Sequence, residues 1–272
     1  MNNIQDFDTA QAFATSWNNL RSGSIYTREQ ALDWFAPIGR KDLEGKRILE
    51  LGCGNASLIL HIMDWAPAYV EGVDLGDSVI SARKNVLGYD NCNIIKADIT
   101  NFRSDGYDVV YCIGVIHHLK NPQDGFVSVV KNTKRGGKFH IWVYAREGNA
   151  LVMCIVDPLR KIVSKFHWSI TKYFVATPLA VPFYVYAKLI KFFKRVSIFK
   201  HLPLYEYSLW ISERGFAFFQ HVAFDQLVTP QTVYISKAKI VGWLKSMPEI
   251  DQGSTYIIMR NGNSWKFGGT IK

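Results

Sequence analysis

Residues Lys46 to Ala56 read KRILELGCGNA. The run Ile48 to Leu51 is short and apolar, which is typical of a buried parallel strand. The run breaks at Gly52, and apolar residues then return at spacings of three and four, which predicts a helix. Glycine suits such a turn because it adopts positive φ and lets a ligand approach backbone that carries no Cβ. The stretch therefore predicts a strand, a tight turn and a helix whose first N–H groups are free to bind a ligand.

A carboxylate follows at the end of the next apolar run. Residues 68–73 read AYVEGV and are followed by Asp74, twenty residues beyond Gly54. An acidic residue at the end of a second strand, at this distance from a glycine turn, binds the ribose hydroxyls of many cofactors. The alternative for Asp74 is capping of the following helix, although Asp77 and Ser78 also suit that position.

The residues of the turn distinguish between two cofactor types. A dinucleotide fingerprint has the form G-x-G-x-x-G, but its last position is Ser57 here. The pattern Glu50-x-Gly52-x-Gly54-x-Ala56 resembles motif I of class I S-adenosylmethionine (SAM) methyltransferases, with alanine in place of the third glycine.

This resemblance implies SAM as the cofactor and a binding site spread over the ends of four strands. Asp98 and Ile99 follow a predicted third strand and suit an adenine, although a solvated loop aspartate is the alternative for Asp98. The expected cofactor-binding residues are Glu50, Gly52, Cys53, Gly54, Asp74, Leu75, Asp98, Ile99 and Ile113.

The order of elements predicts the fold class. Strand and helix patterns alternate from Lys46 to Ala145, which favours a parallel sheet with helices on both faces. Two short strands, Thr255 to Met259 and Ser264 to Thr270, flank Asn261-Gly262-Asn263, a hairpin signal. We therefore expect an α/β, Rossmann-like class I methyltransferase sheet with a C-terminal antiparallel hairpin and a helical insertion after strand five.

Four segments are expected along the chain. They are N-terminal helices over the cofactor cleft (1–45), the SAM-binding core (46–147), a basic and aromatic helical cap (148–231), and a C-terminal helix and hairpin that complete the sheet (232–272).

Composition and charge narrow the class of protein. The chain has 272 residues and a formal net charge of +9, of which +8 falls between Gly148 and Tyr205. The four cysteines lack the spacing of a zinc site or a disulfide framework. Residues 1–8 are polar and acidic, unlike a signal peptide. These features predict a cytoplasmic protein with no metal site.

The basic segment has two interpretations. Its longest charge-free stretch, Tyr173 to Ala187, has 15 residues and contains Pro178 and Pro182, which we interpret as too short and interrupted to span a membrane. Residues 188–200 separate basic from apolar positions at helical spacing and suit an anionic membrane surface, so peripheral association through 160–200 is one expectation. The other is a protein-packing cap or an oligomer interface.

The catalytic candidates are residues that we expect at the carboxyl edge of the sheet or folded over the cleft from the cap. An oxygen or carbon acceptor usually needs a general base, and the candidates are His117 first, then Glu147 and His221. The expected acceptor-binding residues are Trp17, Tyr26, His118, Tyr144, Arg146 and Asp225.

Three functions remain open. VYAREGN (Val143 to Asn149), FDQLVTP and RNGNSW make the chain similar to bacterial methyltransferases of the broad ubiquinone and menaquinone type, which implies a small or amphiphilic acceptor. An NAD(P)-dependent oxidoreductase and a non-catalytic membrane-surface protein are the alternatives. The Tyr184 and Lys188 pair has dehydrogenase spacing but lies outside the expected position. Nucleic acid is disfavoured because Ile113-Gly114-Val115-Ile116 replaces the D/N-P-P-Y/F motif of base-amino methyltransferases.

Overall fold

A seven-stranded sheet forms the centre of the protein in a computed structural model that describes residues 4–18, 26–104 and 106–272. The strand order is β3-β2-β1-β4-β5-β7-β6. The first five strands are parallel, and β7 pairs antiparallel with both β5 and β6. The strands are β1 (Arg47–Leu51), β2 (Tyr69–Asp74), β3 (Cys92–Lys96), β4 (Tyr107–Ile113), β5 (Thr133–Tyr144), β6 (Ile250–Arg260) and β7 (Ser264–Ile271).

Helices cover both faces of the sheet. Within β1, Ile48 packs into one core cluster, whereas Leu49 and Leu51 pack into the other, across the sheet. The helices are α1 (Ile4–Asn18), α2 (Arg28–Phe35), α3 (Arg40–Leu43), α4 (Ser57–Ile62), α5 (Ser78–Asn85), α6 (Pro122–Asn132), α7 (Ala150–Val163), α8 (Trp168–Ile170), α9 (Thr177–Phe192), α10 (Tyr205–Ile211), α11 (Phe216–Val228) and α12 (Lys237–Ser246).

The predicted fold class is confirmed by this topology. The first strand of the predicted hairpin is longer in the structure, because β6 begins at Ile250 and not at Thr255. The extra length of β6 comes from pairing that continues past an irregularity between Asp251 and Tyr256.

The glycine turn after β1 has left-handed backbone at three positions. Gly52 has φ of 84°, Gly54 has φ of 53° and Ala56 has φ of 64°. A Cβ at Gly52 would overlap the side chain of Val115, so this position has no room for a larger residue. Ala56 adopts the conformation that the third glycine of the motif would adopt more easily.

The insertion, helices α7 to α11, leaves and rejoins the sheet at one place. Ala145 forms an isolated parallel bridge with Ile235. The N–H of Arg146 donates to the carbonyl of Ile235 (3.0 Å), and the N–H of Ile235 donates to the carbonyl of Tyr144 (2.9 Å). The two ends of this long excursion are therefore held side by side.

The interpretation that prolines interrupt the middle of the insertion is wrong. Helix α8, a π-helical segment at Thr171–Ala176 and α9 form one continuous helix, Trp168–Phe192, here called the long helix. Pro178 lies in the first turn of α9, and the hydroxyl of Thr177 donates to the carbonyl of Lys172 (2.8 Å). The wider π-type turn and this hydroxyl together accommodate the proline. By length and composition alone, the 25-residue long helix could cross a membrane.

We predict that Gly148→Ala destabilises the protein by about 2–5 kcal/mol. Gly148 has φ of 76°, and a Cβ there would overlap the carbonyl oxygen of Gly262 in the hairpin turn. Urea denaturation measures the change. In the matched control Gly88→Ala, the new Cβ would meet nothing within 4 Å, and we expect a change within about 0.5 kcal/mol. Equal effects of the two substitutions would contradict the close approach of Gly148 to the hairpin.

Candidate functional site

A cavity of about 780 Å³ lies at the carboxyl ends of the parallel strands and extends beneath the insertion. This is the edge at which open α/β sheets bind ligands, and the volume is within the range of small-molecule sites. One end of the cavity is formed by the glycine turn, and the other by α7, α9, α10 and α11. A cofactor and an acceptor can therefore share one continuous space.

All nine residues predicted to bind the cofactor line this cavity. They come from the ends of β1, β2, β3 and β4 and from the turns that follow. The parallel arrangement explains the convergence, because the carboxyl ends of parallel strands meet at one edge of the sheet.

Asp74 holds the glycine turn in place. Its Oδ2 accepts from the N–H of Gly54 (2.9 Å), while its Oδ1 accepts from the N–H of Gly76 (2.9 Å) and the hydroxyl of Ser78 (3.1 Å). Burial raises the pKa of Asp74, and these hydrogen bonds act in the opposite direction. The carboxylate thus holds the loop before α5 in place, although the N-cap of that helix is Asp77 and not Asp74. It also lines the cavity, where it can accept from ribose hydroxyls.

Glu50 is a buried carboxylate at the base of the cavity. It accepts from the hydroxyl of Tyr111 at 3.1 Å. Burial and, to a smaller extent, the neighbouring charge of Asp74 raise the pKa of Glu50 to about 8, although the Tyr111 hydrogen bond acts in the opposite direction. A cation bound beside Glu50 would favour its ionised form, which suits the ammonium group of SAM.

The remaining cofactor residues supply an apolar surface beside a third carboxylate. Asp98 accepts from the N–H (2.9 Å) and the hydroxyl (2.7 Å) of Thr100, so its position is fixed. The aliphatic side chains of Leu75, Ile99 and Ile113 line the same cavity. Carboxylates for hydroxyl and amino groups and aliphatic side chains for a flat ring fit the chemistry of SAM.

The N-terminal helix α1 covers this end of the cavity. Thr9, Ala10 and Phe13 line it. Gln11 and Asp77 fasten the helix by a reciprocal pair of hydrogen bonds, of 2.8 and 3.0 Å. Tyr26 also lines the cavity, and its ring packs edge-on against Trp34 with centroids 4.6 Å apart. The side chain of Trp17 lies outside the described residues.

The prediction that His117 comes first among the catalytic candidates is corrected by its position. His117 is fully buried, does not line the cavity, and both of its ring nitrogens lack a hydrogen-bond partner. Its ring centroid is 4.2 Å from that of His118 and 4.2 Å from that of Tyr144. Burial lowers the pKa of His117 well below its usual value. It packs behind the site rather than in it.

His118 faces the cavity instead. Its Nδ1 lies 3.0 Å from the carbonyl oxygen of Gln231 and 3.1 Å from the hydroxyl of Thr232. A carbonyl only accepts, so Nδ1 carries the proton and Nε2 keeps its lone pair. Burial lowers the pKa of His118 to about 4, while the Gln231 bond acts in the opposite direction. The ring is therefore a neutral proton acceptor at pH 7.

Glu147 and Arg146 do not reach the cavity, which corrects their predicted roles. Both side chains are exposed and neither lines it. Glu147 accepts from the N–H of Lys237 (2.9 Å) and from the indole N–H of Trp265 (3.0 Å). Its carboxylate stabilises the start of α12. Proximity to the end of β5 in the sequence did not determine the direction of these side chains.

A polar network missed by the sequence analysis joins the insertion to the site. The guanidinium of Arg160 donates to Asp157 (2.7 Å) and to the carbonyl and side-chain oxygens of Gln226 (2.6 and 2.8 Å). The amide of Gln226 donates to the hydroxyl of Tyr144 at 2.8 Å. The Asp157 and Arg160 spacing of three was the available signal for the pair, but nothing in the sequence indicates that Gln226 meets Tyr144.

His221 and Asp225 line the cavity from α11, as predicted, with Nε2 of His221 3.1 Å from Oδ2 of Asp225. Further lining residues that the sequence did not suggest include Tyr207, Trp210, Phe219 and Arg260. Within the described ranges, no group of three or more His, Cys, Asp or Glu side chains could hold a metal ion.

Comparison with known proteins agrees with this geometry. A family model described as a methyltransferase domain matches residues 49–141. A ubiquinone biosynthesis O-methyltransferase from Maricaulis maris (strain MCS10) is 28% identical over 145 residues, which cover 52% of this chain and 56% of that protein. A probable (S)-tetrahydroprotoberberine N-methyltransferase 2 from Papaver bracteatum is 32% identical over 85 residues, covering 29% of this chain and 24% of that protein.

Solved structures share the fold over most of the chain. Magnesium protoporphyrin IX methyltransferase from Synechocystis PCC 6803, with bound S-adenosylhomocysteine, has a TM-score of 0.52, with 14% identity over 90% of this chain and 82% of its own. An O-methyltransferase family protein from Burkholderia thailandensis has a TM-score of 0.51, with 11% identity over 90% of this chain and 56% of its own.

The chain spans about a quarter of the poppy relative and little more than half of the Maricaulis relative. The domain match, the strand order and the glycine turn with its three carboxylates nevertheless agree with one another. Residues 49–141 therefore form a methyltransferase domain with the class I fold, and the chain is distantly similar to the ubiquinone biosynthesis O-methyltransferases.

Proposed function

We propose that this protein transfers the methyl group of SAM to an oxygen, nitrogen or carbon atom of an apolar or amphiphilic acceptor held beneath the insertion. The observation that carries the proposal is the cavity of about 780 Å³, which is continuous from the glycine turn to the insertion. The relative named for ubiquinone biosynthesis and the structural neighbour named for magnesium protoporphyrin IX support an acceptor of this class.

The acceptor end of the cavity is mainly apolar. Leu159, Phe183, Trp210 and Phe219 line it from four different helices of the insertion. Aromatic and aliphatic walls with a few polar groups are typical of sites that bind flat or chain-like apolar molecules. Polar groups that line the cavity outside the cofactor residues include His118, Tyr144, His221, Asp225 and Arg260.

In this proposal His118 accepts the proton that the acceptor loses. SAM, when bound, supplies an electrophilic methyl group. The acceptor atom must then be positioned and, if it is a hydroxyl, deprotonated. The bond to Gln231 fixes the His118 tautomer and aims the unprotonated Nε2 away from the backbone. This assignment replaces His117 as the predicted base.

The oxidoreductase alternative is weaker than the sequence alone suggested. Neither Tyr184 nor Lys188 lines the cavity. The ammonium of Lys188 donates to the carbonyl of Ser212 (2.6 Å) and lies 5.0 Å from the centre of the Tyr184 ring. The pair is part of the packing of the insertion and cannot reach a nicotinamide in the cavity.

The deciding experiment uses purified protein, SAM labelled in its methyl group, and a cell extract separated into organic and aqueous phases. Label that moves into the organic phase supports an apolar acceptor. Label confined to aqueous products would contradict the apolar acceptor, and no transfer to any fraction would contradict methyl transfer. Gly54→Asp places a charged side chain in the turn of φ 53° and is expected to abolish transfer.

We predict that Asp74→Ala weakens the binding of S-adenosylhomocysteine by about 1–3 kcal/mol, because ribose hydroxyls lose a buried acceptor. Isothermal titration calorimetry measures the affinity. Asp74→Asn retains one acceptor oxygen for the Gly54 and Gly76 turn, and thermal unfolding of both variants separates binding from folding. The exposed Asp90→Ala is the matched control. Unchanged affinity in Asp74→Ala would remove Asp74 from the site.

We predict that His118→Gln lowers kcat by about 100-fold to 10,000-fold, the usual contribution of a general base, with little change in S-adenosylhomocysteine affinity. The exposed His201→Gln serves as the control. Because the pKa of His118 is lowered to about 4, the ring stays neutral and the rate should be flat between about pH 6 and pH 8. The rate should fall only as pH drops towards 4. An inflection near pH 6.5 that disappears in His118→Gln would contradict this environment.

A further inference from the structure

The insertion exposes an unusual amount of apolar surface. In the described part of the chain, 23 large apolar side chains are exposed, and sixteen of them lie between Leu151 and Leu202. The most exposed of these sixteen are Phe192 (79%), Phe174 (78%) and Ile198 (71%). Single exposed apolar residues are ordinary, but a concentration of this kind in one segment marks an interaction surface.

These side chains form rows at helical spacing. On α7 the row is Leu151, Ile155 and Ile162, with spacings of four and seven, and the exposed Phe166 follows just beyond the end of the helix. On the long helix the row is Ile170, Phe174, Val181, Val185, Leu189 and Phe192. Residues three, four and seven apart share one face of a helix. Each helix thus presents an apolar outer face, the opposite of a helix on the surface of a water-exposed protein.

The inner face of the long helix packs against other helices of the insertion. Ala180 and Ala187 are buried against Ile211 of α10 and Phe219 of α11. Only 22% of an apolar 18-residue stretch of this helix is buried, however. The long helix is therefore not a core helix. Its outer face remains available along a length of roughly 38 Å for 25 residues.

Basic side chains border these rows. Lys161 and Lys165 are exposed beside the α7 row, and Lys194, Arg195 and Lys200 are exposed just beyond the end of the long helix. Other basic residues of the segment are engaged within the protein. Arg160 is bound to Asp157 and Gln226, Lys188 to the Ser212 carbonyl, and Lys191 to Glu213. The five exposed cations are therefore those that can meet an external anion.

The cavity opens within the same surface. Six of its lining residues are exposed, and all six are apolar and belong to the insertion. They are Leu151, Ile155, Leu179, Pro182, Leu202 and Pro203. Two of them, Leu151 and Ile155, also belong to the exposed row of α7. The rim of the cavity and the apolar surface are thus continuous.

We propose that the outer face of α7 and the long helix, called the docking face, lies on the surface of an anionic phospholipid bilayer. The apolar rows enter the headgroup region, and the five cations meet lipid phosphates. The cavity rim then faces the acyl chains, so an apolar acceptor enters without crossing water. Docking itself does not depend on the proposed function; only the route of the acceptor does.

Charge argues for lipid rather than for a second copy of the chain as the occupant. Between Gly148 and Tyr205, Asp157 is the only acidic residue, and it is paired with Arg160. Two docking faces brought together would place like charges next to each other. A membrane-spanning arrangement would require the long helix to leave α10 and α11, with which Ala180 and Ala187 are packed.

Vesicle flotation with the full chain tests the proposal. We expect binding to vesicles that contain phosphatidylglycerol, at least about tenfold weaker binding to pure phosphatidylcholine, and release by high salt. The charge variant is Lys194→Glu, Arg195→Glu and Lys200→Glu. Its matched control carries the same charge change at the exposed Lys84, Lys131 and Lys245. Only the first variant is expected to lose binding.

A second variant tests the apolar rows. Phe174→Ser, Leu189→Ser and Phe192→Ser together should lower vesicle binding about tenfold or more. The corresponding control changes the exposed Ile80, Leu87 and Tyr89 to serine. Thermal unfolding and S-adenosylhomocysteine affinity should be unchanged in all variants, which separates docking from the methyltransferase site.

Three outcomes would overturn the proposal. They are no flotation with either vesicle, equal binding to neutral and anionic vesicles, and a concentration-dependent dimer in sedimentation that the serine variant abolishes while vesicles do not bind. Because none of these measurements requires methyl transfer, failure of docking and failure of the proposed function remain distinguishable.

Discussion

The hydrogen bonds of Asp74 hold together the part of the molecule on which the site depends. One carboxylate at the end of β2 accepts from Gly54 in the turn after β1 and from Gly76 before α5. It thereby fixes two loops from neighbouring strands relative to each other. Burial disfavours the charge and raises the pKa of Asp74, and the hydrogen bonds that the carboxylate accepts offset part of this effect. The same residue that would bind a ligand therefore shapes the turn that receives it.

The sheet and its cofactor end could be predicted from the sequence because each signal there is local. A strand followed by a glycine turn, and a carboxylate at the end of the next strand, are encoded within a few residues of Gly54 and Asp74. Parallel topology then brings the strand ends to one edge. Positions such as Ile99 and Ile113 follow directly from where their strands end.

The acceptor end could not be predicted in the same way, because it depends on side-chain direction and on contacts between distant segments. His117 and His118 are adjacent in sequence, yet His117 packs against the ring of Tyr144, whereas His118 faces the cavity. Glu147 follows β5 directly but is bound to Lys237 and Trp265. Gln226 reaches Tyr144 across 82 residues of sequence. Composition identified the insertion as basic and aromatic, but only its packing separates the residues that face the cavity from those that face outwards.

The bridge between Ala145 and Ile235 holds the two ends of the insertion together, whatever the length of chain between them. The two ends of the insertion are paired with each other, and all seven strands of the sheet lie outside it. The insertion is therefore a loop that is closed at its base. The entropy of closing such a loop changes by only about 0.6 kcal/mol when its length doubles. A change in the length of the insertion therefore costs little in loop closure, although its helices still form one end of the cavity.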